Sequence, residues 1–592
     1  MPDYIGNVSW GIVPRNDDNS NLATMSWNNR DNYLISANDQ LRYQVQWFYQ
    51  SLDEADEAVS DGSIVNVIFK IETSINSVNW NTVANIKKSR DVTNKRYFNP
   101  ESSPRGHRFT IDISQLISDQ LSYSLCPINK GTWQSNWYGG MNGGLMMQDN
   151  VIGTDTAIGN PISEFNVSDN GTYKKIRVSA SFEIIDTDSD GNKSIVTAAS
   201  ILAYSPEVTA INSVNQFERD NVYYKGQFYF DKNLTSASEP KRFLTRCPNW
   251  YYDTTPNKVA YNKPVRMDEQ AEFLQFYVTE SFDPNYPSIN YNLIEIYGET
   301  FNKDGSLENQ FVLVDFTSNV VTATGTTFAQ QQNSMFIQNV SPDFINNNAF
   351  SPQNTSTGGV PISTYTIPTS PITANTDKYS LYYRGHFDDG SSNWISVRHS
   401  AVNWFQIDRE SEKIPYGFVR FHWLNSMGGT DSYTAKRDIV EGLTISKDVV
   451  ERKSSDRTWY QANSGAFASN ELAVNDNLYI SDTMRGGNIY KGGREVMNVN
   501  AERIQSVYTE PLNISVAKWL EEISLSPNVW IEMETDATKR GFVSNPYLRP
   551  STKEYIPVII TNSEIETINQ ENGLVRFNIE YTLSHKVQTQ RN

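Results

Sequence analysis

Between residues 575 and 583 the chain alternates without a break: Val575, Phe577, Ile579, Tyr581 and Leu583 on one phase, Arg576, Asn578, Glu580 and Thr582 on the other. A period of two puts one side-chain row in a core and the other in water, so this stretch is a strand and not a helix. Asn572-Gly573 just before it suits a tight hairpin turn, with Glu564 to Ile568 as the extended partner and Tyr555 to Thr561 a further strand. The same rhythm recurs in Tyr43, Val45, Trp47, in Val65, Val67, Phe69, Ile71, and in Phe109, Ile111, Ile113. Ile176 to Ile184 alternates, turns at Asp186 to Lys193 and returns as Ile195 to Leu202, which is a hairpin. Phe276 and Val278, Ile294 and Ile296, and Val312 and Val314 carry the pattern through the middle, and Tyr379 to Phe387 resumes it. Aromatic residues, 12% of the chain, favour such pleated surfaces.

A length of 592 residues exceeds one hydrophobic core and calls for roughly three to five domains. The expected fold is mainly β: several Ig-like or related sandwiches with a small α+β C-terminal domain. The boundaries expected are an N-terminal β-sandwich region over 1–265, a central β domain over 266–400, and a C-terminal domain over 401–592. Two helices interrupt the strands. Ser114 is placed to cap a brief one through Leu116, Ile117 and Leu121, and Ser515 to cap another whose Val516, Trp519, Leu520 and Ile523 fall at i, i+3, i+4 and i+7. Ser526-Pro527-Asn528 stops the latter, whose apolar stripe is expected to pack Trp519 and Ile523 on the C-terminal sheet. Phe418 to Leu424 reads as a strand entering a sharp turn at Asn425-Ser-Met-Gly428-Gly429.

Two segments break the pattern. Residues 317–377 are dominated by Asn, Gln, Ser, Thr and Pro and read as a long polar linker ordered against a partner. Residues 131–150 form a Gly-rich loop loaded with Trp133, Trp137, Tyr138, Met141, Met146 and Met147. These six, with Phe344 and Phe350 of the linker, are the candidate partner-contact residues. The alternative for the loop is that its aromatics tuck beneath it as a local core.

The charge balance, 50 basic against 68 acidic residues, gives −18 and no basic run that could track a phosphate backbone, so direct nucleic-acid binding is not expected. With two cysteines, Cys126 and Cys247, the chain cannot build a disulfide framework or a four-thiolate zinc site. Met1-Pro-Asp-Tyr4 lacks a signal-peptide pattern and no long apolar run occurs, so synthesis in the cytosol without a membrane span is expected.

No catalytic pattern stands out. His107, His386, His399, His422 and His585 are scattered without HExxH spacing, no GxSxG occurs, and Gly139 to Gly144 lacks the strand and helix of a nucleotide loop. His422, on the polar phase of its strand, reads as a surface or satisfied histidine. Asp186-Thr-Asp188-Ser-Asp190-Gly191 matches the first half of a calcium loop, but Thr197 stands where a bidentate Glu belongs, so a plain hairpin turn without metal is expected. No specific carboxylate pair marks a glycosidase. Neither enzyme activity nor a cofactor is expected.

Four places carry a resemblance to virion proteins of tailed bacteriophages, notably phages of Bacteroidota and marine bacteria. Phe109-Thr-Ile-Asp-Ile-Ser-Gln-Leu116 resembles their "fDiSrilqdyl" segment, and Phe418 to Asp431 their "FlNrlGGwD" strand and turn. Trp519-Leu-Glu-Glu-Ile-Ser-Leu-Ser-Pro-Asn-Val529 is similar to their "WLeELitSPeV" helix, and Tyr555 to Thr561 with the ending Thr589-Gln-Arg-Asn592 to their "PViItd" strand and terminal "tQR". After Gly429 this chain has Thr430 where an aromatic is usual, a departure at that turn. The resemblance implies a noncatalytic part of the virion at the tail tip or hub, assembled in the host bacterial cytoplasm as a closed homo-oligomeric ring that contacts other tail or neck proteins. The competing readings are a head-to-tail connector or collar protein, and a receptor or host-glycan binder whose Trp133, Trp137 and Tyr138 stack on sugars.

Overall fold

The computed structural model describes residues 9–14, 33–38, 41–48, 64–74, 79–91, 106–121, 124–125, 145–146, 154–155, 160–161, 173–187, 190, 192–205, 207–214, 243–252, 254–256, 258–259, 261–267, 272–278, 293–314, 334–349, 370–388, 394–398, 400–409, 418–452, 460–461, 478–479, 493–536, 551–562 and 574–584. The protein is mainly β, built of several largely antiparallel sheets with few helices.

In the N-terminal region Ser9–Pro14, Leu41–Phe48 and Gly106–Asp112 form a three-stranded antiparallel sheet. A six-stranded sheet combines Ile64–Ser74, Asn81–Asp91, Tyr173–Thr187, Lys193–Tyr204 and Val208–Ile211 with Tyr33–Ser36, the last joining in parallel. The alternation is realised in burial: Val67, Phe69, Ile71, Ile176 and Val178 are fully enclosed. The expected hairpin is present, Thr187 facing Lys193. The short helix Ser114–Ser118 is not capped by Ser114; Asp112 Oδ1 accepts the Ser114 N–H at 3.0 Å.

The central sheet has seven strands, among them Leu293–Asn302, Leu307–Val314 and Thr376–Asp388. It also takes in Val402–Asp408, with which both Trp250–Tyr251 and Lys263–Arg266 pair, so the boundaries at 265/266 and 400/401 both fall inside one sheet. The polar segment 317–377 corrects the linker expectation where it is described. Ser334–Asn339 pairs with Phe273–Val278, and Pro342–Asn348 is a helix. Val340, Ile345, Ala349 and Ile372 are buried in the core beneath this sheet. A few apolar side chains set among many Asn, Ser and Thr suffice, because the polar ones bond back to the chain: Asn346 donates to Ile372 O and accepts from Ile372 N, both at 2.9 Å.

The C-terminal sheet, also seven-stranded, runs in the order Thr430–Ala435, Val419–Leu424, Val529–Asp536, Ser551–Ile560, Asn578–Leu583, Gly493–Tyr508, Arg437–Arg452. Val575, Phe577, Ile579 and Tyr581 are buried as the alternation requires. The strand breaks after Val575, however: Leu574–Val575 pairs with Leu512–Asn513, and Asn578–Leu583 lies between Ser551–Ile560 and Gly493–Tyr508. Asn572, Gly573 and residues 564–568 lie outside the described residues.

The helix Ile514–Leu525 lies against this sheet with Val516, Trp519, Leu520 and Ile523 in its core. Its cap is Asn513, not Ser515: Asn513 Oδ1 accepts the Val516 N–H at 2.9 Å. Replacing Asn513 with alanine is expected to cost about 1 kcal/mol in denaturant unfolding, whereas Ser515→Ala should leave stability within about 0.5 kcal/mol.

Candidate functional site

The polar side chains that gather most densely do so where the three regions meet, around the turn Asn425 to Gly429. Val419–Leu424 and Thr430–Ala435 pair across this turn, with Leu424 opposite Thr430. Gly428 sits at φ +81°, a conformation L side chains rarely adopt. Asn425 holds the turn closed from inside: its Oδ1 accepts the N–H groups of Met427 and Gly429, both at 2.9 Å. Its Nδ2 donates to Leu244 O at 2.8 Å and Asp431 Oδ2 at 3.1 Å, so one side chain uses both ends to tie the turn to a neighbouring segment.

The approach of that segment is too close for any Cβ at residue 429. A β-carbon there would lie 2.2 Å from Leu244 O and 2.5 Å from Gln275 Oε1. At Gly428 it would lie 3.0 Å from Asn212 O. The Val214 N–H donates to Ser426 O at 2.9 Å, the Thr430 N–H to Gln275 Oε1 at 2.6 Å, and Ser426 Oγ to Glu522 Oε1 at 2.5 Å. The turn is therefore gripped by the N-terminal region at 212–214, by the central region at 244 and 275, and by the C-terminal helix.

Beside it lies a buried ionic cluster. Glu272 receives Lys263 Nζ at 2.6 Å on Oε1, and Arg420 Nη2 at 2.7 Å and Ser432 Oγ at 3.0 Å on Oε2. Arg420 also donates to Thr434 Oγ1 at 3.0 Å and Ser432 Oγ at 2.9 Å. Burial alone would raise the Glu272 carboxyl, but Lys263 and Arg420 outweigh it and hold the group below the usual carboxylate range. Asp431 goes the other way. Burial raises it, against the opposing pull of Lys263 and of bonds from Thr245 Oγ1 (2.5 Å), Trp519 Nε1 (2.9 Å) and Asn425. Cys247 is buried nearby as a free thiol, which burial pushes up. Cys126 lies outside the described residues.

His422 is a buried histidine with a carboxylate partner, the second of its two expected readings and not the surface one. Its strand phase pointed to a wet face, yet it is fully enclosed, Nε2 lying 2.8 Å from Glu532 Oε2 and its ring 6.0 Å from that of Phe273. The strand Val419–Leu424 is covered on both sides: Phe421 and Trp423 enter the C-terminal core while Arg420 and His422 face the central region. Burial depresses the imidazole below its ordinary value, Glu532 opposing. A depressed folded value means stability fully present above about pH 6.5 and lost as the pH falls below it. Unfolding free energy should drop there by up to about 1.4 kcal/mol per pH unit, and His422→Gln should flatten that slope in denaturant titrations at stepped pH.

The arrangement can do mechanical chemistry: charges and amides are spent on binding one chain segment to another. Trp133, Trp137, Tyr138, Met141, Met147 and Phe350 lie outside the described residues. Met146 is in a short strand opposite Ser124, and Phe344 in the helix Pro342–Asn348, so the described structure does not bring the expected contact residues into one site. Asp186 is the last but one residue of the first strand of its hairpin, Asp190 is exposed in the turn, and Asp188 is outside the described residues; no group of three or more metal-ligating side chains is disposed around a common point among the described residues. Glu272, Lys263 and Asp431 were missed because each stands singly in its segment; the alternation of Arg420 and His422 with the large aromatics Phe421 and Trp423 was the available signal.

No family model matches the chain, and no curated protein matches it. A solved structure titled "Biofilm associated protein - BSP domain" aligns with 81% of this chain at 10% identity and a TM-score of 0.14, a likeness too low to carry an argument about fold or function. The chain spans 64% of that structure's length.

Proposed function

We propose that this protein is a non-enzymatic structural component of a tailed-bacteriophage virion, present in several copies as a ring or cluster at the tail tip or hub. The observation that carries the reading is the joint around Asn425. Two of the sequence landmarks on which the phage resemblance rests, Phe418 to Asp431 and Trp519 to Val529, meet there through Trp519 Nε1 and Asp431, and the turn inside the first of them is bonded to two further regions. A part that transmits load between neighbours needs regions fixed to one another, and a buried hydrogen-bonded network that joins them provides that.

The test is mass spectrometry of density-purified particles of a phage whose genome encodes this chain. The chain should be recovered in several copies per particle, and interrupting its gene should yield heads without functional tails. Its absence from infectious particles would overturn the reading. Loss of DNA retention from filled heads would favour the connector position, and release of reducing ends from host glycans by the purified chain would favour a depolymerase instead.

A further inference from the structure

The C-terminal sheet ends in a feature that its own core does not need. Arg437–Arg452 and Gly493–Tyr508 are strands of sixteen residues each, paired from Arg437 opposite Tyr508 to Arg452 opposite Gly493. On its other side Gly493–Tyr508 meets Asn578–Leu583 only over Ile504 to Tyr508. From Leu443 to Arg452 the pair therefore runs on beyond the sheet as a two-stranded ribbon about 30 Å long. Residues 440–450 are all exposed.

The two faces of this ribbon differ. Directly opposed residues share a face. Leu443, Ile445 and Val449 lie on one face with Val499 and Val496 of the facing strand, each of them 42% to 51% exposed, and the same face carries Ala501 and, among these apolar side chains, the charged Lys447 and Arg503. The other face carries Thr444 with Glu502, Ser446 with Asn500, and Asp448 with Asn498. A bare two-stranded ribbon is marginal in water, and an amphipathic one asks for more strands. Arg437–Arg452 is the edge of the sheet, with no strand on its outer side among the described residues. Such an edge is a template for another strand.

We propose that Arg437–Arg452 pairs antiparallel with the same strand of a second copy of this chain, across a two-fold axis at Thr444. The sequence around Thr444 is complementary to its own reverse. Residues equidistant from the axis become partners: Leu443 with Ile445, Gly442 with Ser446, Glu441 with Lys447, Val440 with Asp448. The two-fold doubles every pair, so two Glu–Lys and two Leu–Ile contacts form and no like charges meet in this span. Moving the axis to Ile445 sets Glu441 against Val449 and Leu443 against Lys447; moving it to Leu443 sets Ile445 against Glu441. Both shifts lose the ion pairs. The axis at Thr444 also keeps the apolar rows of the two copies on one side of a continuous four-stranded ribbon. Glu441 already holds Arg503 at 3.1 Å within its own ribbon and is 47% exposed, while Lys447 meets no carboxylate among the described residues. The partner's carboxylate fills that place. This contact joins copies two by two, is independent of the virion reading, and leaves any ring contacts to other surfaces.

The test uses the full chain. Thr444 is self-opposed, and opposed Cα atoms in such a ladder stand about 4.5 to 5.5 Å apart, within the span of a disulfide. Thr444→Cys should give a covalent dimer under mild oxidation beyond the level of the unsubstituted chain, and Ser446→Cys, which faces Gly442, should not. Glu441→Lys should raise the dimer dissociation constant by about tenfold or more, and Glu441→Lys with Lys447→Glu should bring it back. Equal cross-linking at 444 and 446, or a double variant no tighter than the single one, overturns the proposal. So does a monomer at all concentrations whose residues 440–450 are protected from amide exchange, because the chain's own residues 453–492 would then cover the face.

Discussion

Replacing Trp519 with alanine is expected to lower the unfolding free energy by about 3 to 5 kcal/mol, the range for deleting a large buried aromatic. Trp519 is 2% exposed and packs its ring 5.3 Å from Trp423, with Tyr261 and Tyr433 at 6.4 and 6.3 Å and Lys263 Nζ 5.3 Å from its centroid. The indole N–H is one of the donors that make a buried Asp431 tolerable. Trp519→Phe keeps most of the apolar contact and removes that donor, so it should cost about 1 to 3 kcal/mol and leave Asp431 still more inclined to hold its proton. Chemical denaturation of the three proteins checks both figures. An alanine variant as stable as the parent would mean the helix does not dock as described.

Glu272→Gln should be of similar size. Removing one partner of an enclosed ion pair leaves the others uncompensated, and here two cations, Lys263 and Arg420, lose one carboxylate; the expected cost is about 3 to 5 kcal/mol. The variant should also change the acid limb of stability. Glu272 is depressed in the folded state, so its contribution is fully present above the unfolded carboxylate value near 4.3 and is lost as the pH falls through its folded value. Asp431, raised by burial, acts with the opposite sign: the folded state takes up that proton first, so its gain comes as the pH falls toward the unfolded aspartate value near 3.9 and precedes most of the Glu272 loss. The parent should therefore lose stability in acid more steeply than Glu272→Gln, and parallel acid limbs would show that Glu272 is not ionised in the cluster.

What the sequence made legible was local. Period-two alternation found the strands because each has a core beneath it, and the i, i+3, i+4, i+7 stripe found the helix that buries Trp519 and Ile523. What it could not supply was what lies on the second face of a strand. Arg420 and His422 look solvated in their own segment; they are enclosed because Glu272 and Phe273 of another region pack over them. For the same reason residues 340–349 looked like a linker, since Val340, Ile345 and Ala349 have too few apolar neighbours in sequence to declare a core that Phe243, Ile296 and Phe405 complete. Asn425 was placed in a turn correctly, but its bond to Leu244 depends on a chain segment about 180 residues away. The long ribbon shows the converse case: Leu443, Ile445 and Val449 alternate as a half-buried strand would, yet nothing described in the chain buries them.

The central claim is that the turn at Asn425 to Gly429 binds three regions into one unfolding unit, and amide hydrogen exchange read by mass spectrometry tests it most directly. The Val214, Leu244 and Thr430 amides, donated to Ser426 O, Gln275 O and Gln275 Oε1, report one region each. Peptides containing them should open with one common free energy, and Gly429→Ala, whose methyl would lie 2.2 Å from Leu244 O, should lower all three together. Three different opening energies, or a Gly429→Ala variant that loosens residue 430 while leaving 214 and 244 unchanged, would contradict the account.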